Sequence, residues 1–363
     1  MMTRTTIFSP YLEFAKLHSQ SRFNLATSGI MRCPLAELPV AIDQLEISCP
    51  TGYGYEPLIQ RLAAKNNVAP ECVVFINGGT SLANNVAIAA TTDAGDHVLS
   101  ENPGYELLDS TASFLGLEVH HFERHFEDGF RLDPEEIERR VTPRTRLIVI
   151  TNLHNPSGVL AGNDALRRVG EIARTAGARV LVDEVYLDMA LEQTPASSFH
   201  LDPKTFVVTS SLTKAYGLSG LRCGWILADP ELAERCWRIN DLYAASPVHA
   251  AELLSVIALD NLGKIAARAK SLLDPNRALL RHFFDSCDEL DVVRPEFGTM
   301  AFPRVRRGTV EKLFHVLRDK YEATVVPGSF FGAPQHFRMG VGGDTDMTRE
   351  ALDRLSRALH DLP

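Results

Sequence analysis

The chain has 363 residues, 45% hydrophobic and 23% charged, with 24 Gly and 20 Pro, which excludes disorder and collagen-like structure. Lys plus Arg number 37 against 46 Asp plus Glu; this net charge of −9, without long runs of one sign, argues against a nucleic-acid partner. At roughly 150 residues per domain, the length corresponds to about two domains with room for a cleft between them.

In chain order, the amino-terminal stretch carries Arg4 and Lys16 but no apolar block ahead of a small-residue cleavage site. No apolar run approaches the ~20 residues of a membrane helix, so a cytoplasmic protein without membrane contact is expected. Residues 1–45 are too irregular for a domain and are expected to pack with a small domain across the cleft. From 72 to 228 short β-branched runs recur: CVVFI (72–76), HVLS (97–100), LEVHHF (117–122), RLIVI (146–150), RVLVD (179–183), TFVVTS (205–210) and CGWILA (223–228). Segments with helical apolar spacing separate them. This predicts an α/β fold, a mainly parallel sheet with helices on both faces, forming a large domain over 46–260. Beyond Asp229 the sequence becomes helix-rich, with Pro275 expected to break or kink the path. ELDVV, TMAFPRV, EATVV and HFRMGV then alternate with amphipathic helices, predicting a smaller α/β domain over 261–363.

The six cysteines are scattered, without C-x-x-C pairs, and no H-E-x-x-H occurs, so neither a disulfide scaffold nor a metal site is expected. His120-His121 reads as a solvated strand end.

Open parallel sheets bind ligands at the carboxyl ends of their strands. There, Gly78-Gly79-Thr80-Ser81 opens a helix, either as an anion cradle of free N–H groups or as a plain helix cap. Asp183 ends an apolar run, so its poorly solvated carboxylate needs a cationic partner, whether a ligand or a structural arginine. Lys214 lies in the tight SSLTKAYGLSGLRCGW loop, where a desolvated amine becomes a nucleophile and a solvated one does not. Ser211-x-x-Lys214 would also suit serine acyl transfer, but the K-T-G of that chemistry is missing.

SLTKAYGLSGLRCG is similar to the segment that carries the Schiff-base lysine in the fold-type I, class I/II aminotransferases, which use pyridoxal 5′-phosphate. NPSG, DEVY and GGTS follow the order of that family, and the resemblance runs from FNLATSG to FRMGVGG. It implies that Lys214 forms the imine with the cofactor aldehyde and afterwards moves protons, while Asp183 faces the pyridinium nitrogen. It implies that Asn155 and Tyr186 bond the cofactor's phenolic oxygen and that Tyr105 stacks on the ring. Gly79, Thr80, Ser211 and Arg222, with Ser81 beside them, would hold the phosphate. Arg338 would grip the substrate carboxylate, with Asn155 and the Gly29 backbone nearby. Tyr53, or Tyr55 two residues on, would reach into the neighbouring subunit's site, making a homodimer. The implied activity is ping-pong transamination between an L-amino acid and a 2-oxo acid, with a β-eliminating lyase of the same fold as the alternative. FGTMAF departs from the family's G-G-x-F. Phe302 and Phe330 favour neutral or aromatic substrates, unless Arg32, Arg304 or Arg306 is brought near to receive a second carboxylate.

Overall fold

A computed structural model describes residues 7–48 and 52–362. The seven runs form one sheet in the order Val73–Asn77, Cys223–Leu227, Phe206–Ser211, Arg179–Asp183, Thr145–Thr151, His97–Asn102 and Glu118–Glu123. Neighbours are parallel except at Cys223–Leu227, which is antiparallel to both strands beside it. Alternate residues serve two cores: Phe75, Ile148, Val180 and Val208 face one layer of helices, and Val74, Leu147, Leu181 and Val207 the other. Burial on both faces is why these runs are continuously apolar. The edge strand Glu118–Glu123 is mostly exposed, and its sequence is correspondingly charged. Among the covering helices, Asn163–Ala176 buries Leu166, Val169, Ile172 and Ala173 on one stripe and stops at Gly177, whose φ of 68° is the left-handed cap conformation.

The second core contains Leu280, Phe283, Leu313, Leu317, Phe337, Met339 and Leu355, around short strands and the helices Val310–Tyr321 and Thr345–His360. TMAFPRV is not one strand: Met300–Ala301 pairs with Phe337–Gly340, whereas Arg304–Val305 pairs with Leu290–Asp291. Pro303, which has no N–H to give a ladder, lies between the two pieces. Phe23–Asn24 pairs in parallel with Ala323–Thr324, attaching the amino-terminal segment to this core.

The expected break at Pro275 does not occur. The helical region divides instead at Asn261, between His249–Asp260 and Leu262–Asp285, and Pro275 sits inside the second helix. Packing outweighs the lost hydrogen bond: Leu273, Asn276 and Leu280 are buried around it, and Asn276 donates to the carbonyls of Val341 and Gly343 at 2.8 Å each. This helix joins the cores, with Ile265 and Ala269 in the larger and Phe283 and Phe284 in the smaller.

Ser9 caps the amino-terminal helix Pro10–Leu17, accepting from the Leu12 N–H at 3.2 Å, and Pro10 opens it. Its buried residues Tyr11 and Phe14 pack on Phe330 and Phe331. No described helix is long and apolar enough to cross a membrane. The described cysteines are unpaired, and Cys49 lies outside the described residues.

Candidate active site

Parallel packing brings the strand ends at Asn77, Asn102, Thr151, Asp183 and Ser211 to one edge, where a cavity of about 180 Å³ opens. Its wall contains Thr80, Ser81, Asn84, Tyr105, Thr151, Asn155, Asp183, Tyr186, Ser211, Thr213, Lys214 and Arg222. A larger space of about 710 Å³ opens near the second core, beside Phe314, but its charged residues Arg306, Arg307, Glu311 and His315 are all exposed.

Asp183 ends its strand 2% exposed, and its carboxylate accepts from Asn84 Nδ2 at 2.8 Å and the Val185 N–H at 3.0 Å. Burial pushes its pKa up to about 6, despite those bonds and the field of Lys214. Asn84 is held in turn by the Thr209 hydroxyl at 2.5 Å. Lys214 follows the next strand and donates from Nζ to Ser28 Oγ at 3.1 Å; that oxygen lies 2.8 Å from the Tyr186 hydroxyl. Gly29 is where the chain passes over the lysine: a Cβ there would stand 3.3 Å from Lys214 Cδ.

The Thr80 hydroxyl donates to Ser211 Oγ at 2.9 Å. Arg222, itself left-handed at φ 49°, turns its guanidinium toward the carbonyls of Gly78 and Ser219. Gly79 corrects the cradle expected from sequence. Its N–H is not offered to the cavity but donates to the Arg222 carbonyl at 2.9 Å, and Gly79 is not part of the wall. At φ +68°, with a Cβ that would fall 2.7 Å from Arg222 Nη2, Gly79 leaves room for the arginine.

Arg338, 1% exposed, lies one layer behind the wall. Nη1 donates to Asn155 Oδ1 at 2.9 Å, and Nη2 donates to the Tyr11 hydroxyl at 2.7 Å and the Ala26 carbonyl at 3.3 Å. Burial opposes its charge, but the hydroxyls of Tyr11, Tyr186 and Tyr105 keep its pKa high. Burial also sends the Tyr105 hydroxyl well above its usual range.

Tyr53 is not brought to this cavity. Its exposed ring packs near Trp237 and its hydroxyl meets Asp241 at 3.0 Å, while Tyr55 lies edge-on to His249. Phe302 and Phe330 are also absent from the wall: Phe302 stacks on His336, and Phe330 packs on Phe14. Arg304 and Arg306 both pair with Asp291, and Arg32 is exposed. Far from the cavity, the ligand atoms of His97, Glu118 and His120 come within 4.8 Å of one another, but Arg144 at 3.1 Å already supplies a cation to Glu118.

Sequence reasoning missed Tyr11, Ser28, Asn84 and Thr151. Ser28 adjoins Gly29 in the NLATSG match, and Asn84 stands one helical turn after Thr80, so both had a local signal.

Fold and cavity thus define an α/β enzyme with a buried carboxylate and an amine at the ends of a mainly parallel sheet. The sequence matches the family described as Aminotransferase class I and II over residues 39–355, and the chain belongs to it. It is therefore an enzyme of the pyridoxal-phosphate-dependent transaminase family, whose cofactor is pyridoxal 5′-phosphate. It is 28% identical to a capreomycidine synthase of Streptomyces vinaceus over 94% of this chain and 90% of that protein. It is 26% identical to a probable aspartate/prephenate aminotransferase of Aquifex aeolicus, covering 85% and 81% of the two chains. The crystal structure of the PLP-dependent cyclase OrfR superposes with a TM-score of 0.87 at 25% identity, covering 99% of this chain and 98% of that one.

Proposed function

We propose that the protein transfers an amino group between an L-amino acid and a 2-oxo acid by a ping-pong cycle, with Lys214 as its covalent anchor and proton carrier. The observation that carries this reading is that Lys214, Asp183 and Asn155 line one cavity, with Arg338 behind the wall donating to Asn155.

These residues fit the family's cofactor. Among the described residues Asp183 is a buried carboxylate hydrogen-bonded only to neutral donors, so it suits a ligand's protonated ring nitrogen. When bound, the cofactor supplies an aldehyde and a ring that accepts the electron pair left at Cα. Asn155 and Tyr186 would hold its phenolic oxygen, Tyr105 its ring face, and Thr80, Ser81, Ser211 and Arg222 its phosphate. Gly79 serves by admitting Arg222. Lys214, as the free amine, would take a proton from Cα and deliver it to the carbon of the cofactor's aldehyde group, two bonds away, with Ser28 holding Nζ and being held in turn by the Tyr186 hydroxyl. Arg338 aligns the substrate through its carboxylate, beside the Gly29 backbone.

We also read the protein as a cytoplasmic homodimer in which Tyr53 serves the partner's site. Its 59% exposed ring, next to a surface bearing Leu242 at 82%, supports a covered face.

The test has two parts. Borohydride reduction of the cofactor-loaded protein followed by digestion is expected to leave a pyridoxyl group on Lys214. A screen of amino acids should then find one that bleaches the cofactor's absorption, with recovery on adding a 2-oxo acid. The second reading is β-elimination or a related rearrangement, favoured by the synthase and cyclase among the similar proteins. Release of ammonia without any 2-oxo acid acceptor would establish elimination, and conversion of the amino acid with neither ammonia nor an acceptor would establish rearrangement.

A further inference from the structure

The wall of the cavity does not account for every group around the carboxylate seat. Tyr11 comes from the amino-terminal helix, 327 residues from Arg338 in sequence, yet its hydroxyl oxygen accepts from Arg338 Nη2 at 2.7 Å. It is 8% exposed, and its ring is fixed edge-on to Tyr105 at 5.7 Å and beside Phe331. The guanidinium also lies 5.2 Å from the ring centre. The side chain is therefore packed at a defined place and not merely resting on the surface.

Hydrogen-bond accounting then gives the hydroxyl a task. A phenol has one proton to give and lone pairs to receive. Here the oxygen receives from Arg338, and no described acceptor takes its proton. Burial would raise the Tyr11 pKa, but Arg338 and Lys214 together pull it below its usual value, so the hydroxyl lies in the field of both cations. Leu12, the next residue, lines the cavity, which puts the helix itself at the site. Arg338 cannot present a free fork: Nη2 is shared between Tyr11 and Ala26, and Nη1 is engaged by Asn155.

We propose that Tyr11 is a substrate-positioning residue that receives a hydrogen bond from Arg338 and donates its own proton to the substrate carboxylate, so that arginine and tyrosine bind the two carboxylate oxygens together. The carboxylate of an amino or 2-oxo acid then bridges Arg338 Nη1 and the Tyr11 hydroxyl, leaving Asn155 in place. This rests on the functional reading above, because it assumes that Arg338 serves a substrate carboxylate. It also makes substrate affinity depend on the docking of an eight-residue helix.

Tyr11→Phe removes one oxygen and keeps the packed ring. Propionate, which has the carboxylate but no amino group, is titrated calorimetrically into wild type and variant, with and without cofactor. Loss of a hydrogen bond to a charged group should weaken propionate about tenfold or more. KM for the reactive amino acid should rise by a similar factor while kcat changes less than about threefold. The absorption of the bound cofactor and the thermal midpoint should stay as in wild type. Unchanged or tighter propionate binding would overturn the proposal, since the hydroxyl would then be a filler or a competitor for the seat. A lowered thermal midpoint with unchanged propionate affinity would also overturn it, by giving Tyr11 a purely structural role. Failure of borohydride reduction to leave a pyridoxyl group on Lys214 of the wild type would instead strike the functional reading itself, whereas Lys214 labelled in both proteins with propionate affinity unchanged strikes only the role given to Tyr11.

Discussion

Two buried carboxylates on the same sheet are treated in opposite ways. Glu101, on the strand His97–Asn102, is 2% exposed and has its own cation: Arg124 Nη1 donates to it at 2.8 Å, and the Thr151 N–H at 2.9 Å. Asp183, two strands away, is equally buried but, among the described residues, receives only an amide and a backbone N–H. Burial raises the pKa of both. The first is complete without any ligand and acts at a distance, because Thr151 Oγ1, held by Glu101, accepts the Asn155 N–H at 2.8 Å. The second is costly until a cation arrives. A buried acid with an internal partner belongs to the scaffold; one with neutral partners marks the place for a positively charged ligand atom.

The largest effect should come where the unpaired carboxylate meets the chemistry. Lys214→Ala is expected to lower turnover by about 10⁴-fold or more, as judged by single-turnover bleaching, because both anchor and base are removed. Next, Arg124→Ala strands the Glu101 charge and should cost about 3–5 kcal/mol in denaturant unfolding. Replacing Glu101 and Arg124 together by Gln and Met should cost less than Arg124→Ala alone; an equal cost would break the contrast drawn here.

A third effect is set by pH. In the cofactor-free protein, between about pH 4 and 6, folded Asp183 still binds a proton that the unfolded chain has released. Stability should therefore fall as pH rises through that window, by about 3 kcal/mol from this group. Asp183→Asn should flatten that part of the curve, and the gain in thermal midpoint on adding pyridoxal 5′-phosphate should be larger at pH 7 than at pH 5. A cofactor-induced gain independent of pH would mean that no cation faces Asp183. The smallest change is expected for Thr80→Ala, which removes the donor to Ser211 and should cost about 1 kcal/mol, with a several-fold faster loss of cofactor on dialysis.

How much could be read in advance depends on the range of the interaction. The strand runs, the helix between them and the residues at the strand ends were legible, because period and burial act over a few neighbours: Asp183, Asn155, Tyr186, Ser211 and Lys214 all line one cavity. The break that Pro275 allowed for did not occur, because a local rule was outweighed by Asn276 bonding across to Val341 and Gly343. Gly79 misled because its N–H is spent on Arg222, a contact that no spacing reveals.

By itself the sequence determined the alternation of apolar runs and helices, and with it a mainly parallel sheet whose strand ends carry the polar groups. Tertiary structure alone decided which acid would have a partner, since Arg124 reaches Glu101 and, among the described residues, no arginine reaches Asp183. It also decided that Tyr11 meets Arg338. The reason is physical: hydrophobic period is a property of neighbouring residues, whereas a desolvated charge is balanced by whatever the fold carries to within hydrogen-bond distance.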